Sequence, residues 1–138
     1  AQTDETTAAQ SAAAGDMTLL PVCTNGGLVV GDAYYWGFEH KFHRLWQKIS
    51  QAAVGNYALA HQYYDSVAVD WVNIPGVVDE TNEFQNLGTN KIEFTPPANW
   101  GLTTVMGMNL YWIRAIVVSV VTYTQQPLGD QAWCEIDF

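Results

Sequence analysis

Three histidines, His40, His43 and His61, with Glu39 beside the first, supply the donor types of a zinc site, and "HKFH" sets two imidazoles three residues apart. That spacing suits a turn of helix. Here it falls in a break between apolar runs, so the expectation is loop histidines, solvated or hydrogen-bonded, with no metal. Asp79, Glu80, Asn82 and Glu83 offer oxygen ligands of the kind calcium takes, yet they lack the alternating spacing and the turn glycine of a calcium loop. No serine lies in a nucleophile-elbow context, and no grouping of Cys, His and Asn marks a thiol enzyme. Paired carboxylates are too common in so acidic a chain to single out an acid and a base. The chemistry-bearing residues therefore point away from an enzyme, and no cofactor is expected.

The elements that must carry these residues are strands. From Met17 onward the chain reads as short apolar or alternating runs cut by turn residues, the pattern of an all-β sandwich. The runs are "MTLLP", "AYYWGF", "RLWQKIS", "YALAHQYY", "AVDWVNI", "NEFQNL", "KIEFTP", "LYWIRAIVVSVV" and "AWCEIDF". Breaks are expected at "TNGG", "EHKFH", "VGN", "DS", "PGVVDET", "GTN" and "PPANWG", and "PPANW" suits a single helical turn. In "RLWQKI" the residues Leu45, Gln47 and Ile49 share one face, with Trp46 and Lys48 on the other. With 138 residues the chain is long enough for one domain with a real core. No run of some 18 apolar residues marks a membrane span, and no membrane partner is expected. Five basic against fourteen acidic side chains give a net charge of −9, so no basic stripe can follow a phosphate backbone and nucleic acid is not an expected partner.

Residues 1–16 stand apart from this pattern. "AQTDETTAAQSAAAGD" has no aromatic or branched aliphatic side chain and cannot build a core of its own. It is read as an extended arm, beginning Ala1, Gln2, Thr3, Asp4 and Glu5, that needs a surface to lie on, either a neighbouring subunit or its own domain, ahead of a sandwich domain over residues 17–138. At the other extreme, "YWIRAIVVSVV" at residues 111–121 shows almost no polar alternation. A strand with one wet face alternates, so Ile116, Val118 and Val120 mark a strand with something dry on its second side: the domain's own loops, the arm of a neighbour or a subunit interface. Arg114 is the polar exception in that run. A buried guanidinium needs a carboxylate, and Asp79 or Glu80 is the expected partner in a structural ion pair.

The order of "DAYYWGFEHKF", then "HQYYDSVAVDWVNIPGVVDETNEFQNLGTNKIEFTPPANWGLTTVMGMNLYWIRAIV" and then "TQQPLG" resembles a β-sandwich module of virion structural proteins and baseplate proteins in tailed phages and related viruses. The sharpest pieces are Tyr63 and Tyr64 with Trp71, the segment from Asp79 to Phe84, Trp100 with Thr103, Thr104 and Val105, and "YWIRA" at residues 111–115. The resemblance implies an antiparallel, jelly-roll-like β-sandwich in a virus particle assembled in the host cell. It also implies copies of itself and other virion proteins as partners. A single compact module with an arm fits a capsid decoration or cement protein better than a tail or baseplate component. Two turns depart from the family pattern, because Asp65-Ser66-Val67 and Asp79-Glu80-Thr81 lack the usual glycine and should not form the common hairpin turn. In an extracellular particle Cys23 and Cys134 could close a bridge contributing about 4 to 5 kcal/mol, or remain two buried thiols. Six Trp, seven Tyr and five Phe also admit a glycan-binding sandwich, with Trp36 and Trp71 as its test positions.

Overall fold

The computed structural model describes Thr6, Gly15, residues 17–23 and residues 27–136. The fold is the all-β antiparallel sandwich expected from the sequence. Among the described residues ten strands form it: β1 Met17–Thr18, β2 Ala33–Phe38, β3 Arg44–Gln51, β4 Val54–Asp65, β5 Asp70–Asn73, β6 Val78–Asp79, β7 Gly88–Glu93, β8 Leu102–Val105, β9 Met108–Gln125 and β10 Leu128–Glu135. The first sheet runs β1-β10-β3-β7-β6, and the second runs β2-β9-β4-β5 with β8 folded back on β9. Without β6 and β8 these are two four-stranded sheets in which the first strand pairs with the last and the second with the last but one. That is the winding of a jelly roll.

Alternation decides which side chains meet between the sheets. Leu45, Gln47 and Ile49 of β3 are buried, while Arg44, Trp46 and Lys48 point outward. On β9, Ile113, Ala115 and Val117 face the core and Trp112, Arg114 and Ile116 face away. The core between them is filled by Phe42, Phe84, Ile92, Phe94 and Trp100, with rings meeting edge to face, as where Phe42 and Trp100 lie 5.0 Å apart. Gln47 is one of the buried polar residues, with His61, Asp65, Thr81 and Asp130. Its amide accepts from Trp36 Nε1 at 3.1 Å and donates to the Lys48 and Gln131 carbonyls, so every polar atom it carries inward has a partner.

Several expected boundaries move for identifiable reasons. "VGN" is not a break: Gly55 lies inside β4, where a Cβ would sit 2.4 Å from the Thr122 carbonyl of the paired strand, so glycine here serves close approach instead of a turn. "GTN" opens β7, and "PPANW" closes on a turn in which the Trp100 N–H donates to the Pro97 carbonyl at 3.2 Å. "NEFQNL" is not a strand at all. Asn82, Glu83 and Phe84 have φ of 48°, 58° and 68°, a left-handed turn that no ladder can continue. The strand β4 pairs with β9 through three register shifts, which leave Val118, Val121 and Thr124 as extra residues on β9. Asp65 and Asp70 pair across a four-residue loop, so the β4–β5 connection is wider than a two-residue hairpin, as the missing glycine implied.

Candidate binding surfaces

The outer face of the second sheet is organised around Arg114. The register lines up Tyr35, Arg114, Gln62 and Asn73 across four strands. Arg114 Nε donates to Gln62 Oε1 at 2.8 Å, Nη1 reaches the Tyr35 hydroxyl at 3.3 Å, and the guanidinium stacks 4.5 Å from the centre of the Trp71 ring. Tyr35 and Tyr64 set their edges against the same indole. The expected ion pair with Asp79 or Glu80 is therefore corrected. Arg114 lies between the core-facing Ile113 and Ala115, which turns it outward, whereas Asp79 and Glu80 sit at the far edge of the first sheet. Half-exposed and stacked, the guanidinium needs no carboxylate.

Asp79 instead points to the interior and builds the left-handed turn. Its carboxylate accepts from the Thr81 N–H at 2.9 Å, the Thr81 hydroxyl at 2.6 Å and the Glu83 N–H at 3.0 Å. Glu83 in turn accepts from the Leu59 N–H, and its carbonyl accepts from the Tyr57 hydroxyl. Opposite stands His61, on the strand expected from "YALAHQYY" and buried, with Nε2 lacking a hydrogen-bond partner and 3.6 Å from Asp79 Oδ2. Burial pulls the His61 pKa below its ordinary value, while Asp79 and then Glu83 oppose that shift. A depressed histidine favours the neutral form in the fold, so stability is lost as pH falls from the unfolded value near 6.5 through the folded one. Asp65, Glu93 and Glu135 are carboxyls held low, chiefly by bonds from the Ala68 N–H, Arg44 and Trp46 respectively, and their stabilisation is lost only at lower pH. Urea unfolding of the native chain should thus show a lower midpoint at pH 5.5 than at 7.5, and His61→Gln should flatten that difference. An equal drop in both proteins would show that another group is responsible.

The outer face of the first sheet carries a second arrangement. Across β7, β3 and β10 the register places Lys91, Trp46 and Trp133 in one row and Glu93, Arg44 and Glu135 in the next. Arg44 bridges Glu93 at 2.6 Å and Glu135, while Lys91 lies 3.7 Å from Glu93. The two indoles stack with centroids 6.3 Å apart and planes at 21°. Trp133 is 44% exposed.

The remaining expected positions scatter. Ile116 is half-buried on the outer face, Val118 is exposed, and Val120 is corrected from interface to core because the bulges turn it inward against Tyr57. Cys23 and Cys134 are both free thiols, so the bridge does not form, and burial pushes the Cys134 thiol up to about 12. Cys134 lines an apolar cleft of about 890 Å³ with Trp36, Phe38, Met108 and Ala132. Ala1, Gln2, Thr3, Asp4 and Glu5 of the arm lie outside the described residues; at its other end the Gly15 N–H donates to Asp130 at 2.8 Å. His40 is exposed and lies with its ring against Phe38, and His43 is half-buried. Among the described residues no group of three or more His, Cys, Asp or Glu is placed to hold a metal ion. Sequence reasoning missed the Trp46–Trp133 pair and the inward-facing His61 and Asp79. The outward phase of Trp46 was visible in "RLWQKI", but its partner lies 87 positions away by the pairing of 46 with 133. No family model, no curated protein and no solved structure matches this chain.

Proposed function

We propose that this chain is a non-enzymatic structural protein of a virus particle, a capsid decoration or cement protein that stabilises the shell through contacts between subunits. The observation that carries this reading is the outer side of β9. Val118 is 50% and Val121 72% exposed, and Val54 on the paired strand is 49% exposed. Aliphatic side chains on bulges of a long strand are poorly placed in water, and a neighbouring subunit that covers them gains roughly 25 cal/mol for each Å² of apolar surface removed from solvent. The jelly roll supplies a rigid wall element for such contacts but does not name a role by itself. The resemblance of the Asp79–Phe84, Trp100 and "YWIRA" segments to virion modules supports the same reading. In this mechanism copies bury their valine faces against each other or against shell proteins, and residues 1–16 add contacts across the junction.

Val121→Glu places a charge in the middle of that face without touching the core. Sedimentation of the purified chain, and its attachment to particles, should show association at least about tenfold weaker than that of the native chain, with an unchanged urea midpoint. A variant that assembles as well as the native protein would remove the valine face from the mechanism.

A further inference from the structure

The tryptophans of this chain fall into three environments. Trp36, Trp100 and Trp112 are buried, so Trp36 is not a surface position, and Trp71 is stacked under Arg114 and bounded by two tyrosine edges. Trp46 and Trp133 remain on the outer face of the first sheet, where Trp133 is the one aromatic among the exposed large apolar side chains of the described residues. Two near-parallel indoles on neighbouring, hydrogen-bonded strands make a stiff apolar platform with little side-chain freedom left to lose on binding.

The rim of this platform selects the ligand class. Its cations are Arg44, Lys48 and Lys91, and its anions are Glu93, Glu135 and Asp130; each is tied into an ion pair with a member of the opposite set. An anionic ligand would meet an acidic protein of charge −9 and lysines already engaged, and a cation would find every rim carboxylate paired. What the face still offers is an apolar plane bordered by polar donors and acceptors. A pyranose has the matching shape, with C–H groups on one face and hydroxyls around its edge. From this geometry we infer that the outer face of β10, β3 and β7 is a binding site for a neutral oligosaccharide, with Trp133 and Trp46 as its platform. Lys91, Glu135 and Lys48 border it and would meet the hydroxyls. The site is on the sheet opposite the valine face, so it stands whether or not the assembly reading does.

The test is calorimetric and tryptophan-fluorescence titration of the full chain with four neutral probes: cellohexaose, chitohexaose, xylohexaose and mannohexaose. At least one should bind saturably, with affinity reduced about tenfold or more in Trp133→Ala, largely kept in Trp133→Tyr, and unchanged in Trp71→Ala and Val121→Glu. Circular dichroism and the urea midpoint confirm that each variant is folded. Binding of none of the four probes by the native chain, or equal binding by Trp133→Ala, would overturn the site. So would a Trp133→Ala chain that changes only its sedimentation, because the platform would then be a protein contact.

Discussion

Asp79→Ala should lower the stability of this protein by about 3 kcal/mol, seen as a fall in urea midpoint with little change in slope. The carboxylate takes three donors from the turn it begins, the Thr81 N–H, the Thr81 hydroxyl and the Glu83 N–H, and Thr81 is wholly buried. Three consecutive non-glycine residues, Asn82 to Phe84, hold left-handed φ, a conformation costing on the order of 1 kcal/mol or more at each and kept only where the surroundings enforce it. Phe84 depends on that backbone to reach the core, where its ring meets Trp36 at 6.0 Å. Removing the clamp therefore loosens a buried aromatic as well as a loop. Asp79→Asn keeps one acceptor oxygen and should lose about half as much. An alanine variant with the native midpoint would mean that packing of Phe84, not Asp79, holds the turn.

The second large effect is expected at Gln47. Its side chain is fully buried between the sheets and joins Trp36 on β2 to the Lys48 and Gln131 carbonyls and the Met17 sulfur. Gln47→Leu nearly preserves volume, so little cavity forms, but it leaves the buried Trp36 indole N–H without its acceptor. A loss of about 1 to 3 kcal/mol should follow, since a buried donor left without a partner costs that much. Pairing the change with Trp36→Phe removes the stranded donor, and a double-mutant cycle should show coupling of about 1 kcal/mol between the two positions. Additive losses would mean that the Trp36–Gln47 bond contributes nothing of its own.

These two sites show where sequence legibility ended. The inward phase of Gln47 was readable, because Leu45, Gln47 and Ile49 alternate with Trp46 and Lys48 along one strand. Its partners were not, since Gln131 comes from a strand 84 residues away. The composition of "NEFQNL" suits a strand, and only the Asp79 clamp makes a left-handed turn of it. Arg114 stands out in the sequence as the odd residue in an apolar strand, yet a local pattern says nothing of what lies across the sheet. Its neighbours proved to be Gln62, Tyr35 and Trp71.

By itself, then, the amino-acid order determined the all-β class, the strands from Ala33 to Phe38 and from Arg44 to Gln51 almost to the residue, and which side chains of each share a face. Those properties follow from a two-residue period that every strand carries locally. The tertiary structure alone decided that Trp46 meets Trp133, that Asp79 faces His61, and that bulges on β9 turn Val120 inward while leaving Val118 and Val121 in water. Each of these depends on the register between strands far apart in the chain. Register is set by how two whole sheets close on a common core, which no local stretch encodes.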